Sequence, residues 1–335
     1  MKLLITGGLG FIGSNFVHYW TKHHGDDEVV VVDKVTYAGN LINLDSIKDR
    51  ITLVRADICD GERMAEALKG IECVVHFAAE THVDRSIDGP DVFIQSNIVG
   101  THTLLKAARA AGVRRFHHVS TDEVYGHIPL DSDEVWTEET PYHPRSPYSA
   151  SKAASDHLVR AHFYTYGLPV TITNCANNIG PYMYPEKLIP LAITNILEHK
   201  KVPVYGAGDQ IREWLYVEDH CRAIDAILHK GTLGETYFVG PNNPHLSNLV
   251  VVRLLLSLMG YGEEMIEFVK DRPGHDQKYA LSHAKITRAL GWEPLYSLEE
   301  ALKKTIDWYR ANEAWWKPIK SGEFVDYYAK QYITR

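Results

Sequence analysis

Near its N-terminus the chain passes from a short apolar run, Lys2-Leu3-Leu4-Ile5, directly into Thr6-Gly7-Gly8-Leu9-Gly10-Phe11-Ile12-Gly13-Ser14. No other stretch narrows the possible folds as far. A buried strand that ends in glycines at Gly8, Gly10 and Gly13 and then turns into a helix is the dinucleotide-binding pattern. The glycines allow a tight turn and the close approach of a pyrophosphate to backbone N–H groups, and the helix N-terminus favours its negative charge.

The next apolar run, Glu28-Val29-Val30-Val31-Val32, ends in Asp33. An acidic residue at that separation binds the adenosine ribose hydroxyls and repels the extra phosphate of NADP, so NAD is the expected cofactor. Two more runs follow, Ile51-Thr52-Leu53-Val54 before Asp57 and Ile58, and Cys73-Val74-Val75-His76-Phe77 before Ala78, Ala79 and Glu80. Helical patterns cover residues 91–111, the segment after Tyr148, and residues 217–229. Strands and helices alternate as far as Val170-Thr171-Ile172-Thr173, which predicts an α/β fold: a Rossmann-like doubly wound parallel sheet. The second half is richer in Gly and Pro turns, as suits a smaller, discontinuous substrate-binding region whose loops reach over the cofactor. The expected division is an NAD-binding unit over 1–178 and a mainly substrate-binding region over 179–335, with 211–236 returning to the nucleotide sheet.

A chain of 335 residues with a net charge of -8 carries no basic footprint for nucleic acid or an anionic membrane. It has no apolar run of membrane length and enters a strand at once instead of a signal peptide, so the expected compartment is the cytoplasm. Cys59, Cys73, Cys175 and Cys221 are widely spaced and read as reduced thiols. The histidines form no HExxH motif, and His117-His118 beside a buried run reads as packing with hydrogen bonding, so no metal is expected.

The chemistry is concentrated in Ser120-Thr121-Asp122-Glu123-Val124-Tyr125-Gly126 and Tyr148-Ser149-Ala150-Ser151-Lys152. A Tyr and a Lys four apart on a helix face the same way, so phenol and ammonium act on one substrate beside a nicotinamide. Alcohol oxidation needs no more than that. The adjacent Asp122 and Glu123 add a second acid and base, which elimination of water from an oxidised sugar requires.

These segments, with Asp33-Lys34-Val35-Thr36-Tyr37-Ala38-Gly39-Asn40-Leu41, Ala78-Ala79-Glu80-Thr81-His82-Val83-Asp84-Arg85-Ser86, Asn174-Cys175-Ala176-Asn177-Asn178-Ile179-Gly180-Pro181-Tyr182, Pro185-Glu186-Lys187-Leu188-Ile189-Pro190 and Gly208-Asp209-Gln210-Ile211-Arg212-Glu213-Trp214, resemble the extended short-chain dehydrogenase/reductase superfamily. More narrowly, the chain resembles its dTDP-glucose 4,6-dehydratases, from the glycine motif to about Tyr279. The resemblance implies NAD-dependent conversion of a dTDP-glucose substrate to dTDP-4-keto-6-deoxyglucose by C4 oxidation, C5/C6 elimination of water and hydride return to C6. Tyr148 and Lys152 would serve the oxidation, Glu123 would take the C5 proton, Asp122 would protonate the leaving C6 oxygen, and Thr121 would hold the C4 oxygen.

The cofactor residues it implies are Gly7, Gly8, Gly10, Phe11, Ile12, Gly13, Asp33, Lys34, Thr36, Asp57, Ile58, Phe77, Ala78, Ala79, Thr81, Ser96, Tyr148, Lys152 and Asn178. For the nucleotide sugar they are Thr81, Thr121, Asn177, Lys187, Leu188, Pro203, Tyr205, Arg212, Asn248, Asp271, Arg272 and His275. Arg212 has the clearest physical case, because its guanidinium offers two donors to a diphosphate. Tyr205 offers a face to the base. A dehydratase of a related nucleotide sugar is the near alternative. A 4-epimerase would share Tyr148 and Lys152 but has no use for Asp122-Glu123, and a non-catalytic NAD sensor has no use for either pair. Relatives pair through two long helices, so a homodimer built on residues 91–111 and 148–166 is expected.

Overall fold

The computed structural model describes residues 1–243 and 245–333. Seven parallel strands form the central sheet: β1 (Lys2–Thr6), β2 (Glu28–Asp33), β3 (Ile51–Arg55), β4 (Cys73–His76), β5 (Arg115–Thr121), β6 (Val170–Cys175) and β7 (Thr236–Val239). Their spatial order is β7-β6-β5-β4-β1-β2-β3. The order reverses between β1 and β4, and the crevice at the carboxyl ends of those strands is where such sheets bind ligands.

The alternation within the strands explains why helices cover both faces. Leu4, Val30, Val32 and Val74 point to one side with Leu104, Leu105 and Phe116, while Leu3, Ile5, Val29, Val31 and Val75 point to the other with Phe16, Val17 and Trp20. Helix α1 (Phe11–His23) covers the second face. Gly7 lies at φ +69°, and a Cβ there would stand 2.6 Å from the Ala78 nitrogen, so glycine alone permits β1 and the β4 loop to approach this closely.

Residues 91–111 are helical throughout, but not regular. A turn at Asp91–Phe93 widens into a π-helical stretch, Ile94–Gly100, before α2 (Thr101–Ala111) resumes the α spacing. The wide turn directs Asn97 at the β4 loop. Its Nδ2 donates to the Glu80 carbonyl at 2.9 Å and to Ser151 Oγ at 2.8 Å, and its Oδ1 accepts from the Glu80 N–H at 2.8 Å. Helix α3 (Pro147–Tyr166) starts with a Ser146–Ser149 capping box and Pro147 in its first turn.

The second region packs α4 (Leu188–Leu197), α6 (Asn248–Met259) and α7 (Leu298–Ala311) around Ile193, Val202, Val204, Leu255 and Leu302. Between them the chain returns to the nucleotide sheet. Helix α5 (Val217–Lys230) buries Val217, Cys221 and Ile224 against α1, and β7 pairs with β6. The return thus runs through Val239, while Ile211–Arg212 pairs with Leu246–Ser247 in the second region.

Candidate active site

A cavity opens at the carboxyl ends of the strands, where β1 and β4 diverge. Gly10 caps α1 without a side chain, no acid stands in the first turn, and Phe11, Ile12 and Gly13 line the cavity. Its first N–H groups are left for an anion. At the end of β2, Asp33 accepts from the Leu9 N–H at 3.0 Å and the Val35 N–H at 2.7 Å, one bond to each oxygen, which leaves lone pairs on both for hydroxyl donors. Burial holds its pKa above the usual carboxylate value. Lys34 pairs with Asp57 at 2.7 Å. Gly7, Gly10, Thr36, Ile58, Phe77, Ala78, Ala79, Thr81, Ser96 and Asn178 line the same cavity, so this wall fits a dinucleotide. Gly8 does not: it packs under Val31 and serves the helix–strand contact.

Strand β5 delivers the reactive group. At its end Thr121 caps the short 3-10 turn Asp122–Tyr125, its Oγ1 accepting from the Glu123 N–H at 3.2 Å. The same hydroxyl donates to Asp122 Oδ1 at 3.2 Å. Asp122 is 1% exposed and its Oδ2 is buried without a partner. Burial, then Glu123 and Glu213, push its pKa well above the carboxylate range, which favours its protonated form. Burial also raises Glu123, but Lys187, Arg272 and Arg212 oppose that rise. The neighbours therefore have unlike environments, one suited to give a proton and the other to take one.

Tyr148, in the first turn of α3, reaches the same cavity and packs against Phe93 at 6.3 Å. Burial and then Glu123 raise its phenol, while a hydrogen bond with Thr121 acts to lower it. Lys152 lies one turn on. Its Nζ donates to the Val119 carbonyl at 2.9 Å and sits 3.4 Å from His118 Nε2. Burial brings its pKa down to about 8. Behind it Asp156 lies 3.1 Å from His118 Nε2 and accepts from Ser120 at 2.9 Å and Tyr142 at 2.8 Å. Burial acts to raise Asp156, but the His118 bond and the charges of His118 and Lys152 outweigh it, so a carboxylate stays ionised beneath the lysine. His117 bonds Thr171 and Thr173. No three His, Cys, Asp or Glu side chains among the described residues gather as a metal site.

The residues expected to hold a nucleotide sugar separate into two sets. Thr81, Thr121, Asn177 and Lys187 line the cavity, with Lys187 Nζ donating to the Thr81 carbonyl at 3.1 Å. Leu188, Pro203, Tyr205, Arg212, Asn248, Asp271, Arg272 and His275 do not line it. Tyr205 donates to Asp84 at 3.2 Å, Arg272 donates to the other oxygen of Asp84 at 3.3 Å, and His275 and Gln210 bond Asp271. Pro203 is buried in the Val202–Tyr205 strand, and Asn248 Oδ1 is buried without a partner. Arg212 donates to the carbonyls of Ile211 and Asp276 at 2.7 and 2.8 Å and lies 4.0 Å over the Tyr279 ring. Tyr332, from the C-terminal turns, stacks on Tyr205 with centroids 5.5 Å apart and planes 28° apart.

Sequence reasoning passed over Asn97, which ties the β4 loop to α3, and Glu186, which accepts from Arg85 at 2.9 Å and Tyr37 at 3.1 Å at the cavity wall. An Asn in mid-helix carries a weak signal of such a role. Glu186 carries none, because its partners lie about 100 and 150 residues away.

A family described as GDP-mannose 4,6 dehydratase matches residues 4–305. The chain is 50% identical to the dTDP-glucose 4,6-dehydratase of Salmonella typhimurium, covering all of both proteins. It is 47% identical to that of Mycobacterium tuberculosis, covering 98% of each. Among solved structures it superimposes with a TM-score of 0.92 on DesIV, a dTDP-glucose 4,6-dehydratase of Streptomyces venezuelae with NAD and TYD bound, at 48% identity over 96% of this chain and 100% of that one.

Proposed function

The chain belongs to the GDP-mannose 4,6-dehydratase family, and from that premise we infer an NAD-dependent hydro-lyase that converts dTDP-glucose to dTDP-4-keto-6-deoxyglucose and water. One observation carries the reading most directly: two adjacent carboxyl groups at the end of β5 that line one cavity, of which Asp122 is buried with an unpartnered oxygen, which favours its protonated form, while the charges of Lys187, Arg272 and Arg212 favour the carboxylate of Glu123.

When bound, NAD supplies a positively charged ring that takes hydride from C4 and returns it at C6. The residues proposed to hold it are the α1 N-terminus for the pyrophosphate and Asp33 for the ribose, as the uncapped helix and the carboxylate's remaining lone pairs allow. Tyr148, as phenolate, removes the C4 hydroxyl proton; burial opposes that phenolate, and the role proposed for the Lys152 charge one turn along α3 is to offset that opposition. Thr121 orients the C4 oxygen. The resulting ketone acidifies C5, Glu123 takes that proton, and Asp122 protonates the departing C6 oxygen. Glu123 then gives its proton back to C5. A 4-epimerase would oxidise the same carbon but leave Asp122 and Glu123 without a task, which favours the dehydratase.

The nucleotide half is proposed to sit between Lys187 and the Tyr205–Arg272–His275 cluster, with Asn177, Leu188, Pro203, Arg212, Asn248 and Asp271 around it. The NAD-binding unit comprises 1–178 with the returning segment, and the remainder carries the sugar nucleotide. We further propose a homodimer through α3 and the helical run before and through α2, because Val92, Ile94, Val99, Tyr164 and Tyr166 are exposed there. A monomer in sedimentation at micromolar concentration would refute it. All four cysteines are free, which suits a reducing cytoplasm. The test of function is to incubate the protein separately with dTDP-glucose and UDP-glucose and follow products by mass and NMR. Loss of one water with a new C6 methyl from dTDP-glucose is expected, and a C4-inverted sugar of unchanged mass would overturn the reading.

A further inference from the structure

Three charged side chains stand where β2 and β3 end, and binding a ribose uses only one of them. Strand register pairs Asp33 with Arg55, and the Ala56 N–H donates to the Asp33 carbonyl at 3.0 Å, so Asp33, Lys34 and Asp57 lie at the carboxyl ends of two adjacent strands. All three line the cavity. Asp33 keeps lone pairs on both oxygens for hydroxyl donors. Lys34 and Asp57 have no part in that contact.

Both are instead fixed against each other. Asp57 Oδ1 accepts from the Cys59 N–H at 2.9 Å, which leaves Oδ2 to take the Lys34 ammonium at 2.7 Å. On the far side of the lysine, Val35 holds φ +59°. A β-branched residue enters the left-handed region only where its surroundings fix it, and this turn brings the Val35 N–H to Asp33 Oδ1 at 2.7 Å. Lys34 is thereby set between a carboxylate at the ribose and a carboxylate that holds its charge. The hydrogen bond to Asp57 is also the main cause that keeps the Lys34 ammonium above its usual pKa. With side-chain exposures of 53% and 31% the pair adds little to stability. Its consequence is for what the cavity accepts.

A 2′-phosphate on the adenosine ribose would arrive where Asp33 meets the hydroxyls, and enzymes of this fold that accept one place a basic side chain beside it. Of the cations at this edge, Lys34 lines the cavity and Arg55 does not. Its flexible stem and compact charge suit a phosphate, yet Asp57 occupies it. Resting on the reading of this wall as the NAD site, we infer that Asp57 is a specificity-determining residue that withholds Lys34 from a 2′-phosphate. The chain then rejects NADP through two carboxylates: Asp33 repels the phosphate, and Asp57 engages the cation that would hold it. Loss of Asp33 alone removes the repulsion but leaves Lys34 engaged. Loss of Asp57 as well frees the ammonium.

Calorimetric titration with NAD and with NADP gives the ratio of the two affinities in the wild type, in Asp33→Ala, in Asp33→Ala/Asp57→Asn, and in that double variant with Lys34→Ala added. Asparagine keeps the shape of Asp57 and an oxygen for the Cys59 N–H while removing the charge. Each protein is its own control, because a general loss of fold or of shared cofactor contacts lowers both affinities and leaves their ratio. From Asp33→Ala to Asp33→Ala/Asp57→Asn the ratio should move toward NADP by at least about tenfold, as for a hydrogen bond between charged groups. Adding Lys34→Ala should abolish that gain. An unmoved ratio, or a gain that persists without Lys34, would overturn the assignment. Should the double variant not fold, Asp57→Asn in the otherwise wild-type chain should move the ratio in the same direction, and an unmoved ratio there overturns the assignment equally. A wild-type protein that binds neither dinucleotide would instead overturn the reading of this wall, and the assignment with it.

Discussion

The two sides proposed to hold the cofactor and the nucleotide sugar are built differently. On the cofactor wall, Gly7, Asp33, Ala78 and Thr121 stand at or just beyond the ends of β1, β2, β4 and β5, where strand register sets the position of each to within a residue. On the side proposed for the nucleotide sugar, outside the cavity, Tyr205 and the loop that carries Asp271, Arg272 and His275 come from separate segments and are satisfied by one another and by Asp84, Gln210 and Tyr332. A sheet edge presents preformed groups that accept a ligand without rearrangement, while a wall of mutually paired side chains exchanges those bonds for ligand contacts. Under the proposed reaction, retention of the cofactor and release of a product at every cycle would use that difference.

The largest test of it falls where the walls meet. Tyr148→Phe removes the proton acceptor for oxidation and should lower the rate of nicotinamide reduction by about 10²–10⁴-fold, read as absorbance of the reduced ring in single-turnover mixing. Asp33→Ala should weaken NAD binding by about 10–100-fold in calorimetry, the effect of losing hydrogen bonds to a charged group. Unchanged affinity would remove Asp33 from the cofactor wall. Gly13→Ala places a methyl against the Gly7 carbonyl and should cost about 1–3 kcal/mol in urea unfolding if that wall is as rigid as its register implies. On the other wall, Tyr332→Ala should leave NAD affinity unchanged. If the base displaces the Tyr332 ring from Tyr205, KM for dTDP-glucose should fall by roughly two- to tenfold, the range for one aromatic pair. A rise in KM would make Tyr332 a wall of the bound site instead.

The cofactor wall was also the more legible in the sequence, and for the same reason. A run such as Leu3-Leu4-Ile5 followed by glycines, or four valines followed by Asp33, encodes strand, turn and ligand group within a few neighbouring residues. Asp122 and Glu123 were legible as residues, but not their unlike environments, which depend on Glu213, Lys187 and Arg272 arriving from far along the chain. The pattern over 91–111 predicted a helix. Its π-helical widening depends on tertiary contacts, Asn97 against the β4 loop and Gly100 so close to Ile58 that a Cβ would lie 2.7 Å away. Arg212 illustrates the limit in the other wall. Its two donors were expected to face a diphosphate, yet a carbonyl 64 residues distant, at Asp276, takes one of them.

The central claim is that oxidation and elimination belong to different side chains. Glu123→Gln and Asp122→Asn keep the approximate shapes and remove the base and the acid. Mixed with dTDP-glucose in a stopped-flow instrument and quenched for product analysis, both variants should build up reduced nicotinamide on the enzyme while dehydration slows by about 10²–10⁴-fold. Dehydration by these variants at the wild-type rate would contradict the assignment.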